Sequence, residues 1–327
     1  MSFNYSRNMS KITLINGDCL QEISRLEPDS IHAVCTDPPY GLVEFSEEEI
    51  AKLRRGRGGV WRLPPKWDGC ERKPLPRFTV LTSEQKKDIE QFFRSWADVL
   101  ITKVRPGGHV LIAGNPVLQM YVQNAMVAEG FENRATIMRL YNGFRGGDRP
   151  KNAEGEFPDV CVTPKGKYEP WMLFRRPISE KTVAQNLRKW GTGGLRMLAG
   201  GKPLPDAIAS FKTPANERRI ADHPSLKPQH LLRIFVRALL PFAEGIVLDP
   251  FMGSGSTIAA ASCLGADSIG IEIDPSFYAL AQQAIPLLAA LYPGMIGEIL
   301  DSPEINGTQP EYQKQMMLLE SHEEYGA

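Results

Sequence analysis

The sequence lacks any apolar run near the roughly 20 residues that cross a bilayer, so a membrane-spanning helix is excluded. The segment MSFNYSRNMSK, at the start, has no apolar stretch like that of a secretory signal, and a cytoplasmic location is expected. Cysteine is scarce. The five, at 19, 35, 70, 161 and 263, show no Cys-x-x-Cys spacing and no Cys/His cluster. That argues against a disulfide framework and a structural zinc, and no metal site is expected. Internal repeats and low-complexity tracts are missing too. So is Gly-Lys-Ser/Thr, which excludes the phosphate-binding loop of nucleotide triphosphatases.

Net charge is also absent, since 38 Lys and Arg balance 38 Asp and Glu. The balance hides an asymmetry. Residues 134–233 carry 19 Lys and Arg against 9 Asp and Glu, whereas 234–327 carry 2 against 12. A basic middle rich in Gly and Pro suggests a surface for a polyanion, nucleic acid first. Charge runs are more often plain solvated faces.

What is present alternates between strands and helices. KITLING reads as a strand, DCLQEISRL as a helix and IHAVCT as a buried strand. Residues 41–80 lose all periodicity and read as a long loop. A helical pattern spans Ser83 to Val104, PGGHVLIAG reads as a turn and a strand, and Pro116 to Glu129 as a helix. FENRATIMRLYN and EPWMLFRR read as strands in a less regular middle, 143–222. QHLLRIFVRALL is an amphipathic helix, and after it GIVLDP and DSIGIEID are strands flanking the helix STIAAASCLG. A last helix precedes a polar, acidic tail, 293–327. The class is α/β, with a mostly parallel sheet covered on both faces.

Two stretches carry chemistry. LDPFMGSGST follows a strand and opens a helix, and Gly253 and Gly255 let backbone approach a ligand closely. Glu272, 19 residues after Gly253, ends the next strand, where an acid accepts hydrogen bonds from ribose hydroxyls. Asp249 and Phe251 add a carboxylate and a ring at the same loop. A pocket lined by acids does not suit a pyrophosphate; it suits a cationic nucleoside cofactor such as S-adenosyl-L-methionine. The second stretch is TDPPYG. Asp37 can accept one N–H of an exocyclic amine and the carbonyl of Pro38 the other, which localises the nitrogen lone pair for methylation. Pro39 stiffens the turn, and Tyr40 can stack on the base. A base in a duplex must be flipped out first. Carbon-5 methylation of cytosine needs a cysteine nucleophile, and no cysteine here follows a proline in a rigid turn. The plain alternative for DPPY is a turn that ends a strand.

TDPPYG, then HPSLKP, then VLDPFMGSGS and GIEID, together with INGDCLQEI, resemble the beta group of DNA amino-methyltransferases. The resemblance implies a circularly permuted, Rossmann-like sheet of seven strands, with 245–249, 268–273 and 12–16 as its first three in family order. It implies that Asp37, Pro38, Pro39 and Tyr40 form the catalytic turn. It places Asp249, Pro250, Phe251, Gly253, Ser254 and Gly255 in the cofactor loop, with Glu272 and Ile273 at the ribose. Asp18 and Cys19 match the cofactor-adenine position, Asp37 borders the cofactor, and His223, Ser225 and Lys227 close over its methionine end.

In the same terms, 1–142 is the catalytic part, 143–222 a basic target-recognition insertion and 223–292 the cofactor-binding part. Arg54, Arg55, Arg57, Arg145, Arg149, Arg188, Lys189, Arg196, Arg218 and Arg219 are its candidate contacts to double-stranded DNA. Turns that begin with Asp mostly serve adenine N6 in this family, and those with Ser cytosine N4, so adenine N6 is expected. Cytosine N4, an RNA target and a non-catalytic DNA-binding module are the alternatives. A restriction endonuclease partner and a homodimer are compatible with the family.

Overall fold

The computed structural model of the protein describes residues 10–39, 82–140, 147, 149–150, 152–198, 201–223 and 225–292. Tyr40, Arg54, Arg55, Arg57, Arg145, all of the predicted loop 41–80 and the tail lie outside the described residues. The first half of the chain gives β1 (Ile12–Asn16), α1 (Cys19–Ser24), β2 (Ile31–Thr36), α2 (Ser83–Ile101), β3 (Val104–Ala113) and α3 (Gln119–Ala128). The middle gives β4 (Glu132–Leu140), β5 (Tyr168–Arg175), α4 (Val183–Trp190), β6 (Ala207–Ala209) and α5 (Ala215–Ile220). The rest gives α6 (Gln229–Leu239), β7 (Ile246–Asp249), α7 (Ser256–Cys263), β8 (Asp267–Glu272) and α8 (Pro275–Ala290).

The strands form one sheet in the order β1-β8-β7-β2-β3-β5-β4-β6. From β1 to β3 all neighbours are parallel; β5 is antiparallel to both β3 and β4, and β6 is parallel to β4. The order β7, β8, β1 is the one expected for the first three strands of a permuted sheet. The sheet has eight strands among the described residues, not seven. The addition is β6, three residues that pair Ala207, Ile208 and Ala209 with Met138, Arg139 and Leu140. PGG lies within β3, where the pairing with β2 slips: Ile31 is opposite Val104 but Ala33 is opposite His109, and Gly107, at φ 81°, donates its amide to the carbonyls of Arg176 and Pro177.

Alternate residues of the central strands feed two cores. Ala33 and Cys35 of β2 face Leu231, Phe235 and Leu239 of α6 and Ala260 and Ala261 of α7. Val34 faces the other way, with Val110, Ile112, Phe93, Trp96 and Met126 of β3, α2 and α3. An apolar residue on each face explains why IHAVCT reads as an unbroken apolar run. Helix α2 starts at Thr82 with a reciprocal cap: the Gln85 amide donates to Thr82 Oγ1 (3.2 Å) and the Thr82 amide to Gln85 Oε1 (2.9 Å). Its buried residues, Ile89, Phe93, Trp96 and Leu100, recur every three or four positions, so one stripe seals against the sheet. The described residues contain no helix long and apolar enough to cross a membrane.

Helices α7 and α8 pack through small residues, with Ala259 against Ala281 and Ala284 beside Ile285 and Leu288. Gly255 opens α7 at φ 85°, and a Cβ there would lie 2.4 Å from Ile285 Cγ1. Gly255→Ala is therefore expected to lower unfolding stability by about 2 to 4 kcal/mol, from backbone strain plus overpacking. Urea melts should show Gly255→Ala/Ile285→Ala losing less than the sum of the single losses, because the second change removes the clash.

Candidate active site

Strands β7 and β2 are neighbours, with Ala33 opposite Val247 and Val34 opposite Leu248. The chain leaves β7 toward β8 and β1 on one side, while β2 leads to β3 on the other. Between them the strand order reverses, and the carboxyl ends of the strands flank the crevice where such sheets hold ligands. The glycine loop after β7 and the Asp-Pro-Pro turn after β2 thus sit side by side.

A buried clamp joins them. Thr36 Oγ1 donates to Asp249 Oδ1 at 2.7 Å, and the Phe251 amide donates to the same oxygen at 3.2 Å. Asp249 is only 3% exposed. Burial pushes its carboxyl up to about 7, against the opposing hydrogen bonds from Thr36, Thr257 and the Phe251 amide. This acid was expected to line the crevice; its carboxylate instead ties the two turns together from within. Phe251 also turns inward, its ring 6.1 Å from that of Trp96 and 6.2 Å from that of Phe92. Pro250 and Ser254 are buried.

The glycines have internal reasons. Gly253 sits at φ 52°, and a Cβ on it would lie 2.8 Å from His223 Nε2. The atoms that forbid a side chain at Gly253 and Gly255 are the protein's own. His223 therefore lies directly over the loop, its ring edge-on to Phe277 at 4.5 Å, and its Nδ1 accepts the Ser225 amide at 3.2 Å. The segment that begins at His223 thus starts against the glycine loop.

Glu272 pins the same loop. Its Oε2 accepts the Gly253 amide at 2.8 Å and its Oε1 the Asp274 amide at 2.9 Å. Burial raises its carboxyl above the ordinary range. Ile273, beside it, is 66% exposed. The tip of β1 adjoins the tip of β8 through the Gly17 amide, which donates to the Glu272 carbonyl at 3.0 Å. Asp18 follows there and caps α1, accepting the Gln21 amide at 3.1 Å. Cys19 is buried and its thiol is pushed up to about 12, chiefly by that burial; Cys35 is fully buried with its thiol raised as well. Both are poor nucleophiles.

Asp37 is ion-paired with the ammonium of Lys227. Lys227 also reaches Glu169 Oε1 at 3.3 Å. Glu169 Oε2 accepts from Arg139 Nη1 at 3.1 Å and from Trp171 Nε1 at 3.0 Å. Arg139 continues to Ser210 Oγ and to the Phe211 carbonyl, each at 3.1 Å. Burial alone would lower the Lys227 ammonium; Asp37 and Glu169 outweigh it and hold the group above its ordinary range. Burial alone would raise Glu169, but Lys227 and Arg139 hold it below the carboxylate range. The sequence reading missed Glu169 and Arg139. For Glu169 the one local signal is a charge inside a strand otherwise buried on both faces; Arg139 lies in β4, which has exposed positions, and carries no such signal. On the other side of the turn, Pro38 and Pro39 line a narrow crevice with Phe93, Asn115, Leu118 and Gln119.

The basic middle divides. Arg139, Arg175, Lys227 and Arg233 are buried and serve the interior. Arg233, for one, caps the end of α8 by donating to the carbonyls of Leu288 and Leu291. Helix α4, with Arg188 and Lys189, packs at the amino end of β3, where Asn186 Nδ2 donates to the Pro106 carbonyl. The Arg196 amide donates to the Ala238 carbonyl, at the same edge. Roughly 20 Å of strand separates that edge from the crevice. The structure therefore does not bring Arg188, Lys189 and Arg196 to the Asp-Pro-Pro turn, and Lys189 is ion-paired with Glu180 at 2.6 Å. Arg218 and Arg219, on α5, follow β6 to the crevice edge, and Arg149 is exposed.

Asp249 holds its proton more tightly in the folded chain than an exposed aspartate does. The folded state therefore loses stability as pH rises from about 4 to about 7. Asp249→Asn keeps an acceptor for Thr36 and Phe251 and removes that titration. The difference in urea stability between about pH 5 and about pH 8 should shrink in the variant.

Comparison with known proteins agrees with this geometry. The family model described as DNA methylase, for N6 and N4 methyltransferases, matches residues 31–283. The type II methyltransferase M.HindIII of Haemophilus influenzae is 24% identical over 296 residues, 82% of this chain and 93% of that one. M2.DpnII of Streptococcus pneumoniae is 24% identical over 282 residues, covering 85% and 91%. Among solved structures, the TTHA0409 protein of Thermus thermophilus, described as a DNA modification methylase and complexed with S-adenosyl-L-methionine, superposes with a TM-score of 0.53. It is 18% identical and covers 86% of this chain and 95% of its own. The cytosine-N4-specific PvuII DNA methyltransferase gives 0.55 at 17% identity, covering 90% and 94%. With a family model spanning most of its length and the expected strand order in place, the chain belongs to the N6/N4 DNA methylase family.

Proposed function

We propose that the chain methylates the exocyclic N6 of adenine in double-stranded DNA, with S-adenosyl-L-methionine as the methyl donor. One observation carries this reading: β7 and β2 are adjacent, so the Asp37 turn stands beside the glycine loop.

The donor set fits a cationic nucleoside. An ionised carboxylate offers about four acceptor positions. Glu272 uses part of that capacity on the amides of Gly253, Asp274 and Ile273, and what remains can accept a ribose hydroxyl. The Gly253 amide is already taken, so it is not available to a phosphate. Glu272, Ile273 and Asp18 would hold the nucleoside end, with His223 and Ser225 over the loop at the other end. S-adenosyl-L-methionine, when bound, supplies an electrophilic methyl group on a sulfonium.

Asp37 accepts one N–H of the target amine, and the carbonyl of Pro38 accepts the other. Both acceptors draw on the same nitrogen and localise its lone pair, which in the free base is spread into the ring. Thr36, held by Asp249, fixes where the turn begins, so Asp37 is presented at a set height above the sheet. Orientation and preorganised acceptors are the means of catalysis here. Reaching the amine requires the base to leave the stack. Arg218 and Arg219, at the crevice edge, are the candidate phosphate contacts. The type II names of the relatives suggest a restriction partner with the same target site. Adenine is favoured over cytosine by the Asp that begins the turn.

Duplex DNA incubated with methyl-labelled S-adenosyl-L-methionine and digested to nucleosides should yield labelled N6-methyladenine in mass spectrometry. Labelled N4-methylcytosine would overturn the choice of base, and label in RNA alone the choice of nucleic acid. Asp37→Ala should lower transfer by about a thousandfold or more, while calorimetric affinity for S-adenosyl-L-methionine stays within a few fold. Lys227 remains paired to Glu169 in that variant, so the site is not left with a lone buried cation.

A further inference from the structure

Resting on the methyl-transfer function proposed above, we infer that Glu169 is a positioning residue, which fixes the Lys227 ammonium against Asp37 and so sets the orientation of the catalytic carboxylate. Lys227 precedes α6 in a loop, on a side chain with four rotatable carbons, and a loop lysine by itself defines no position. Glu169 does. It lies in β5, between β3 and β4, and is 5% exposed. One of its oxygens is held twice, by Arg139 of β4 and by the indole of Trp171, and its other oxygen holds Lys227. The ammonium is thereby referenced to the sheet rather than to the loop, and Asp37 Oδ2 is referenced to the ammonium.

Charge supports the same role. Asp37, Lys227, Glu169 and Arg139 alternate in sign from the turn to β4. The groups facing Lys227 are Asp37 from the turn after β2, Glu169 from β5 and Arg139 from β4; Asp249 of β7 faces Asp37. An amine that gains a methyl group passes through a cationic state, which a carboxylate stabilises and an uncompensated ammonium opposes. Glu169 supplies the compensating charge without touching the substrate. Remove that charge, and Lys227 leans on Asp37 alone.

The test uses the full chain with Glu169→Gln, which keeps an acceptor for Trp171 and Arg139, and with Glu169→Asp, which keeps the charge but shortens the reach. Far-UV circular dichroism and calorimetric binding of S-adenosyl-L-methionine establish that each variant is folded and loaded. Glu169→Gln should lower kcat by about a hundredfold, as expected for a misplaced reacting group, with KM for DNA and for S-adenosyl-L-methionine unchanged. The alkaline limb of its kcat profile should move to lower pH, because Lys227 has lost one of its two carboxylates. Glu169→Asp should recover part of kcat, and it carries the test if Glu169→Gln does not fold.

A readout that needs no turnover is the titration of the Lys227 Cε resonance in carbon-13-lysine-labelled protein. Lys227 should deprotonate at lower pH in Glu169→Gln than in the wild type. An unchanged kcat, a rise in either KM without a fall in kcat, or an unmoved Lys227 titration would overturn the inference. Wild-type protein that methylates no nucleic acid would instead overturn the proposed function, and the Lys227 titration would still decide whether Glu169 holds the ammonium.

Discussion

One hydrogen bond, from Thr36 to Asp249, closes the gap between two ends of the chain 213 residues apart. Everything at the crevice is referenced to it. Thr36 is the last residue of β2 and Asp249 the last of β7, so the bond sets the relative height of two parallel strands where their loops diverge. The bond is buried, and a buried carboxyl must be both neutral and hydrogen-bonded or be strongly paired. Asp249 is satisfied by Thr36, Thr257 and the Phe251 amide, and its proton is retained toward neutral pH. The glycine loop that follows is then held from three further directions. Glu272 takes its amide, His223 covers Gly253, and Ile285 covers Gly255. The loop is a packed object before any ligand arrives, which is what preorganisation requires.

Elements with a strong local pattern were legible in the sequence. β2 and β7 are short apolar runs, and α2 has a capping box and a regular stripe. Glu272 was legible because strand, loop, helix and strand stand in a fixed register. The order of β7, β8 and β1 followed from the family resemblance. β6 was not legible, since three residues carry no period and are held only by pairing with β4. Pro106 to Gly108 read as a turn, and in the fold they form an irregular stretch inside β3, where the register with β2 shifts and Asn186 and the backbone after β5 take up the hydrogen bonds. The glycines show in the sequence that a Cβ is not tolerated; the neighbours His223 and Ile285 that would meet one show only in the fold. Glu169 and Arg139 were invisible, because their meaning lies in partners on other elements, far away along the chain.

The basic middle shows why charge counts mislead when they ignore burial. A window of 19 Lys and Arg reads as one face for a polyanion. In the folded chain its cations serve different needs. Arg233 replaces missing hydrogen-bond donors at the end of α8, Arg175 reaches the Gly193 carbonyl, and Arg139 and Lys227 balance buried acids. Helix α4 carries others to the far edge of the sheet. Among the described residues, the cations left at the crevice end of the sheet stand on α5 and in the connection from β4 to β5, where Arg149, Lys165 and Lys167 lie.

Four charges in a row behind the Asp-Pro-Pro turn are a poor way to gain stability. Removing two ions from water costs several kcal/mol each, and well-packed apolar residues of similar size often do as well or better. Trp171, against Phe235 at 4.8 Å, shows that β5 already packs as apolar core right beside Glu169. An apolar residue at Glu169 would extend that core, but it would leave Lys227 with one partner and Arg139 without its carboxylate. The chain is therefore all or none: keep every member, or replace every member together, Asp37 included. If Asp37 must stay for chemistry, Lys227 steadies it, Glu169 balances Lys227, and Arg139 balances Glu169. The requirement ends at the Ser210 hydroxyl and the Phe211 carbonyl, where neutral dipoles at the edge of the sheet absorb the last charge. A single acid at the crevice thus dictates residues in β4 and β5 that touch no substrate.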